Sequence, residues 1–168
     1  MNETPDISVI IPAHNEAGNV TALAREIAEA LEGRSYEMIF VDDKSTDGTL
    51  AELVAAKAEF PALRVLSHRR NAGQSRSLRT GIQAARGRII GTMDGDGQNP
   101  PADLPALIDA LTRPDAPENL KVVGGRRAKR QDSAWKKFAS RVANHVRKAL
   151  LRDDADDTGC GLKALYRD

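Results

Sequence analysis

Two aspartates separated by one glycine, Asp94 and Asp96, are the residues of this chain whose spacing is best suited to chemistry. Two carboxylates this close repel each other unless a cation or a set of hydrogen-bond donors lies between them. Mg²⁺ and Mn²⁺ prefer oxygen ligands and commonly use one or two carboxylates together with substrate phosphates. Gln98 offers a further oxygen. The pattern predicts a divalent-metal site at Asp94, Asp96 and Gln98, with a surface turn rich in Asp and Gly as the alternative.

Three more polar segments begin where an apolar run ends. "PAHNE" starts at Pro12, "DDKSTDG" at Asp42 and "HRRNAGQS" at His68. If the apolar runs are parallel strands, the four polar segments meet at the carboxyl edge of one sheet, where ligands of such sheets bind. The spacing therefore predicts one shared site rather than four unrelated turns.

The acids in these segments suit the hydroxyl groups of a nucleoside. Glu16 can accept hydrogen bonds from ribose hydroxyls, and Asp42 and Asp43 from a ribose or a base. Glu16 could instead favour the start of a helix through its charge. Residues 45–47 are better helix caps than the two aspartates, so we interpret Asp42 and Asp43 as free of a structural duty.

Basic residues are concentrated late in the chain. Between Arg126 and Arg152 there are ten Lys or Arg and one acid. The Arg126 guanidinium can clamp a diphosphate, although a solvated basic loop explains it equally well. The helical period over 133–151 predicts an amphipathic helix whose basic rim would suit either solvent or an anionic membrane surface.

Bulk composition narrows the class of protein. A length of 168 residues fits one domain, and a net charge of +1 says nothing in favour of a nucleic-acid partner. The single cysteine, Cys160, excludes an internal disulfide and fits a reducing compartment. No apolar run reaches the roughly 20 residues of a membrane span, and the first residues lack the pattern of a secretory signal. We therefore expect a cytoplasmic protein, at most peripheral to the cytoplasmic face of a membrane.

The elements that position these residues follow from hydrophobic periodicity. Short β-type runs alternate with helical segments, which predicts an α/β fold with an open, mostly parallel sheet and helices on both faces. In the second helix the period points Leu50, Leu53 and Val54 inward. The predicted strands cover residues 6–11, 36–42, 63–68, 88–94 and 120–125, and 161–168 looks like the start of another.

Several common sites are disfavoured. The turn after the first strand reads "PAHNEAG" rather than the glycine-rich turn of NAD-binding folds, and no phosphate-loop motif occurs. The three histidines and Cys160 are too scattered for a zinc motif.

The motifs together resemble a known family. In this order, "SVIIPAHNE", "VDDKSTDGT", "NAGQSRSLRTGIQAARG", "MDGDGQNPP", "VVGGRR" and "DTGCGLKAL" are similar to family 2 glycosyltransferases of the GT-A fold, which is Rossmann-like. More narrowly, they resemble the dolichyl-phosphate mannosyltransferase-like branch, which includes bacterial polyprenyl-phosphate sugar transferases. The resemblance covers nearly the whole chain.

The resemblance implies a role for each matching residue. Asp94, Asp96 and Gln98 would hold Mg²⁺ or Mn²⁺ on the donor diphosphate. Asp96, Arg126 and Lys163 would act in catalysis, with Arg126 facing the phosphates and Lys163 near the acceptor phosphate. The nucleotide-sugar site would comprise Pro12, Ala13, Asn15, Glu16, Asp42, Asp43, Gln74, Asp94 and Gly95.

The implied reaction is inverting transfer of a hexose from a UDP- or GDP-linked sugar to a polyprenyl phosphate. A lipid phosphate is already anionic near neutral pH, so it can attack the anomeric carbon with little help from a base. Two alternatives stay open: a saccharide or protein hydroxyl as the acceptor, and a nucleotide-binding, membrane-peripheral module without turnover. A nucleic-acid partner is not expected.

Family catalytic domains usually run longer than this chain. We therefore expect residues 1–168 to form a single GT-A domain that is truncated at its C-terminus, with a membrane surface as a further partner.

Overall fold

The computed structural model describes residues 4–125 and 160–168. Strands and helices alternate along the first part of this range, as the hydrophobic period predicts. A short 3-10 turn at Pro101–Asp103 leads directly into the fourth helix. The elements are β1 (Ile7–Ala13), α1 (Val20–Ala30), β2 (Tyr36–Asp42), α2 (Thr49–Ala56), β3 (Leu63–Ser67), α3 (Gln74–Ala84), β4 (Ile89–Thr92), α4 (Leu104–Thr112), β5 (Val122–Gly124) and β6 (Lys163–Tyr166).

The six strands form one sheet in the order β3-β2-β1-β4-β6-β5. The first four strands are mutually parallel, and β1 lies between β2 and β4. Strand β6 pairs antiparallel with both β4 and β5 and so lies between two strands that precede it in the chain. The expected open, mostly parallel sheet is confirmed, and its strand order reverses direction between β1 and β4.

Helices cover both faces of the sheet, as predicted. Leu78 and Ile82 of α3 pack on one face against a small cluster that includes Ile10 and Ile90. On the other face, buried side chains of α1, α2 and α4 form the larger core with β1 and β2. Since β1 is buried on both faces, its sequence "ISVIIPA" is apolar apart from Ser8 and does not alternate between polar and apolar residues.

The prediction for the inward face of α2 is wrong at two of three positions. Leu53 is fully buried, but Leu50 and Val54 are 36% and 57% exposed. The buried positions of this helix are Thr49, Leu53 and Ala56, which are spaced by four and three residues and form a stripe on one side. Leu50 and Val54 each follow a stripe residue by one position, about 100° further around the helix.

Candidate functional site

A cleft of about 280 Å³ opens where the strand order reverses, beyond the carboxyl ends of β1 and β4. This is the place where ligands of open parallel sheets bind. The structure brings all of the predicted nucleotide-sugar residues to this cleft except Asn15 and Asp42, and it adds two residues that were not predicted, His14 and Ser77. The full lining is Pro12, Ala13, His14, Glu16, Asp43, Gln74, Ser77, Asp94, Gly95 and Asp96.

The acidic loop lies directly against the end of β1. A side chain at Gly95 would place its β carbon 2.5 Å from the Pro12 carbonyl oxygen, so only glycine permits this approach. Gly97 has a φ of 70°, a conformation that glycine adopts without strain. The two glycines thus explain why the aspartates are spaced by one residue and why the chain can turn away after them.

The two aspartates of the loop have different surroundings. One Asp94 oxygen accepts a hydrogen bond from the Gln74 amide at 2.6 Å, and the other accepts one from the Asn99 amide at 3.1 Å. Asp96 is exposed, and its carboxylate accepts the backbone N–H of Gln98 at 3.0 Å. Asp94 is therefore held in a fixed orientation, while Asp96 faces the open side of the cleft.

The donor set fits a divalent ion only in part. Within residues 4–125 and 160–168, no group of three or more His, Cys, Asp or Glu side chains is placed to hold a metal. Asp94 and Asp96 supply carboxylate oxygens at the cleft, and the exposed Gln98 side chain follows them. Because Mg²⁺ and Mn²⁺ are commonly held by one or two carboxylates plus substrate phosphates, the residues fit a metal that a phosphate ligand completes.

Asp43 organises the loop on the opposite wall of the cleft. Its side chain is almost fully buried and accepts hydrogen bonds from His68 Nδ1 at 2.7 Å, Ala72 N at 2.9 Å and Gly73 N at 2.6 Å. Burial alone raises the pKa of this carboxyl, but the three hydrogen bonds outweigh burial and lower the pKa below its ordinary value. The ionised carboxylate fixes the start of α3 and hence the position of Gln74.

Sequence reasoning missed His68 as a member of this wall. An ionised carboxylate only accepts hydrogen bonds, so Nδ1 of His68 carries the hydrogen that Asp43 accepts. In the neutral ring, Nε2 then accepts the hydroxyl hydrogen of Thr80 at 2.9 Å. The available signal was the place of His68 directly after β3, where the polar segment begins.

Asp42 and Asn15 have structural duties rather than free polar groups. Asp42 is buried and accepts hydrogen bonds from Ser45 N at 3.1 Å and Ser67 Oγ at 2.9 Å. Asn15, at a φ of 58°, accepts Thr46 N at 2.8 Å. The interpretation that Asp42 and Asp43 lack a structural duty is therefore wrong, because helix capping is only one of the ways in which a carboxylate can hold a loop.

A second cleft of about 350 Å³ lies next to the first. Asp94 and Gln74 line both clefts, and their hydrogen bond forms part of the wall between them. Lys163, at the start of β6, lines only the second cleft, and its ammonium group donates to the Cys160 carbonyl. Three larger apolar side chains, Leu78, Met93 and Leu165, also line this cleft.

Gly161 brings the C-terminal segment against the acidic loop. A β carbon at this position would collide with the Asp94 carboxylate, so the close approach requires glycine. Thr92 Oγ1 donates to the Gly161 carbonyl at 2.8 Å and fixes the segment to the end of β4. Gly161 and Asn99 were not named among the predicted site residues, because their contacts join distant parts of the chain. The resemblance did imply that the segment around Gly161, residues 158–163, lies near the donor sugar and the acceptor phosphate.

One predicted catalytic residue, Arg126, and the amphipathic helix predicted over 133–151 lie outside the described residues. The described chain ends its fifth strand at Gly124, and Gly125 N donates to the Leu162 carbonyl at 2.9 Å.

Comparison with known proteins gives concordant matches. The model of the family described as "Glycosyl transferase family 2" matches residues 8–168. The chain is 38% identical over 165 residues to undecaprenyl-phosphate 4-deoxy-4-formamido-L-arabinose transferase of Pseudomonas aeruginosa strain LESB58, covering 96% of this chain and 47% of the relative. It is 38% identical over 168 residues to dodecaprenyl-phosphate galacturonate synthase of Rhizobium johnstonii, covering 96% and 48%.

A solved structure shares the fold. Glucosyl-3-phosphoglycerate synthase of Mycobacterium tuberculosis, in complex with Mn²⁺, UDP-glucose and glycerol 3-phosphate, superposes with a TM-score of 0.74 at 23% identity. The match covers 97% of this chain and 57% of that one. The chain spans about half the length of the curated relatives it matches. Within the described residues, no helix has both the length and the apolar character needed to cross a bilayer.

Proposed function

Because the chain belongs to glycosyl transferase family 2, we propose that it transfers a sugar from a nucleoside-diphosphate sugar to a polyprenyl phosphate, with a divalent metal on the donor diphosphate. The names of the two curated relatives each combine a polyprenyl phosphate with a sugar. Their names carry different sugars, and the proposal leaves the sugar and the choice of uridine or guanosine open.

The observation that carries the proposal is the shared wall between the two clefts. A group transfer needs two substrates whose reacting atoms meet at one point. Here the Gln74–Asp94 pair borders both cavities. A sugar held against Asp94 in the first cleft would therefore lie next to a substrate held in the second. Holding the reacting atoms together in this way removes much of the entropic part of the barrier.

The first cleft would hold the donor. Pro12, Ala13 and Glu16 line the part of the cleft where the nucleoside would lie, and Asp94 and Asp96 would face the diphosphate from the acidic loop. A divalent metal bound there would neutralise charge on the leaving diphosphate. Asp94 keeps lone pairs for this purpose, since a carboxylate has about four acceptor positions and the described donors use two.

The second cleft would hold the acceptor phosphate. Lys163 supplies a cation in a cleft that Leu78, Met93 and Leu165 also line, a combination that suits an anionic head on a hydrocarbon chain. In the reaction, a phosphate oxygen forms a bond to the anomeric carbon while the bond from that carbon to the diphosphate oxygen breaks. The electron pair leaves with the nucleoside diphosphate. No proton has to be removed from an ionised phosphate, so no carboxylate base is required.

The test is transfer of labelled sugar from UDP- and GDP-sugars, with Mg²⁺ or Mn²⁺, to a short-chain polyprenyl phosphate. The corresponding polyprenyl alcohol and a free saccharide are the competing acceptors. We expect product only with the phosphate. Lys163→Gln should raise the KM for that acceptor while the donor affinity stays the same.

Product formed with a hydroxyl acceptor instead would overturn the acceptor assignment. Donor binding without transfer to any acceptor would favour the alternative of a nucleotide-binding module.

A further inference from the structure

Between Phe60 and Met93 every side chain that is charged at neutral pH is an arginine. This stretch contains seven arginines, no lysine and no acid. Two of them, Arg64 and Arg86, bind the buried Glu37 at the amino edge of the sheet. The other five are Arg69, Arg70, Arg76, Arg79 and Arg88, and within residues 4–125 and 160–168 none of these forms an ion pair with an acid.

Three of these arginines surround one open groove at the carboxyl edge of the sheet. The groove has a volume of about 560 Å³, and Arg69, Arg70 and Arg76 line it together with His68, Asn71 and Ala72. The three arginine side chains are exposed, and Arg79 is exposed one helical turn beyond Arg76. We call this cavity, with its three arginines Arg69, Arg70 and Arg76, the arginine groove.

The arginine groove borders the donor cleft. The Asn71 side-chain amide lies 3.2 Å from Nε2 of His14, which lines that cleft, and His68 is hydrogen-bonded to Asp43 beneath it. The groove also adjoins the second cleft, because Gln74 and Ser75, which line that cleft, directly precede Arg76 of the groove. A surface bound to the groove would therefore lie close to the cleft that we propose for the lipid acceptor.

We infer that the arginine groove docks the protein on the anionic phospholipid headgroups of a membrane, with the carboxyl edge of the sheet toward the lipid. This inference rests on the proposed function, because it is the lipid acceptor that requires the edge to face a membrane. Guanidinium groups bind phosphate through two parallel hydrogen bonds, which favours arginine over lysine here. The groove contains no Phe, Tyr or Trp for base stacking, and its one aromatic ring, His68, is hydrogen-bonded to Asp43 and Thr80, which favours lipid over nucleic acid.

The expected size of the effect follows from the charges. Near an anionic membrane each arginine strengthens partitioning about fivefold, so three together contribute about a hundredfold at low salt. The attraction decays within a Debye length, about 8 Å at physiological ionic strength, and added salt weakens it.

The test is sedimentation of the full chain with phosphatidylcholine vesicles that contain or lack phosphatidylglycerol. The variant R69Q/R70Q/R76Q should bind the anionic vesicles about a hundredfold more weakly than the wild type at low salt. The matched control K57Q/R113Q/K121Q removes three exposed cations at the ends of α2 and α4 and before β5, and should bind like the wild type. Thermal unfolding of each variant confirms its fold.

Transfer assays separate this inference from the proposed function. The triple variant should keep transfer to a short-chain, water-soluble prenyl phosphate and lose transfer to a long-chain acceptor embedded in anionic vesicles. Equal vesicle binding by the triple variant and the wild type would overturn the inference, as would equal loss in the matched control. Loss of UDP- and GDP-sugar binding in solution would also overturn it, because the arginines would then belong to the donor cleft. Failure of all transfer by the wild type, with vesicle binding as expected, would overturn only the proposed function.

Discussion

Strand β2 and the residue after it carry three buried carboxylates, and two of them, Glu37 near the start and Asp43 just beyond the end, differ in the kind of partner they bind. Glu37 is 1% exposed and accepts hydrogen bonds from Ser8 Oγ at 2.7 Å, Arg64 at 2.6 Å and the Arg86 backbone N–H at 2.8 Å. Asp43 is 3% exposed, and its partners are a histidine and two backbone N–H groups of a loop.

The groups that lie beyond the hydrogen-bond donors separate an acid that only holds the fold from one that also orders the site. The donors of Glu37 join β1, β3 and the segment before β4, so the network closes on itself. The donors of Asp43 lie in the loop that leads into α3, and beyond them Gln74 reaches Asp94. Glu37 and Asp43 are both buried acids. They differ because the donors of Asp43 lead on to the Gln74–Asp94 hydrogen bond in the cleft, whereas those of Glu37 do not.

The largest expected effect of a single change is on stability, at the amino edge. Glu37→Ala leaves the Ser8 hydroxyl and the Arg86 N–H without their acceptor and removes the charge that pairs two arginines. We expect the free energy of unfolding to fall by about 3 kcal/mol in urea denaturation. Donor affinity at the opposite edge, measured by calorimetric titration on the folded fraction, should stay within a factor of two of wild type, ~0.4 kcal/mol. A parallel loss of donor affinity would show that Glu37, like Asp43, also supports the site.

The reciprocal change at the carboxyl edge should affect binding and not stability. Asp96 is exposed, so Asp96→Ala should alter the free energy of unfolding by less than about 0.5 kcal/mol. We expect the metal-dependent part of the thermal shift with a nucleotide sugar to disappear and transfer to fall about a hundredfold. Asp103→Ala, an exposed acid nearby in the chain, is the control and should keep the metal response. An unchanged metal response in Asp96→Ala would count against the site.

A change at Asp43 should lower both the stability and the donor affinity, each by a smaller amount. In Asp43→Asn the side chain keeps one acceptor oxygen, so one of the Ala72 and Gly73 N–H groups loses its partner. We expect a loss of about 1–2 kcal/mol in stability together with about tenfold weaker donor binding, because Gln74 is no longer held. His68→Gln, which can still donate one hydrogen bond, is the milder comparison. Loss of stability with unchanged donor affinity would place Asp43 in the same class as Glu37.

The smallest expected effect is the response of stability to acid. The Glu37 pKa reflects burial, which raises it, and the hydrogen bonds from Arg64, Ser8 and Arg86, which outweigh burial and lower it below its ordinary value of 4.5. A carboxyl whose folded-state pKa is depressed contributes stability above its unfolded pKa and loses it as the pH falls through the folded pKa. Unfolding curves of wild type and Glu37→Gln should therefore converge as the pH falls below about 4.5. A stability difference that stays constant down to about pH 2 would contradict this expectation.

The sequence predicts most of the fold because the relevant signals are local. Alternating apolar runs and helical periods place β2 at its observed bounds and the other strands within two residues or so. The position of β6 between β4 and β5 was not predictable, since its pairing joins residues more than 70 positions apart. The prediction for α2 failed because three apolar residues close in sequence need not share one side of a helix.

In the candidate site, too, residues with a local sequence signal were predicted and residues that depend on long-range contacts were not. Residues at or just beyond the ends of strands, such as Pro12 and Asp94, could be placed at the cleft because parallel strands end at one edge. The partners of Asp43 and Asp94 could not, because His68, Asn99 and Gly161 act through contacts between separate loops. The predicted roles of Asp96, Arg126 and Lys163 in catalysis remain predictions.

The position of β6 also sets an order of assembly during synthesis. The parallel strands β1–β4 and helices α1–α4 can pair and pack as soon as the first 112 residues have emerged. Strand β5 has β6 as its only partner among the described strands. It can therefore pair only after about 40 further residues have been synthesised. The first cleft, lined by residues 12–96, would thus be complete before the segment that contains Gly161 and Lys163 reaches Asp94 and completes the second cleft.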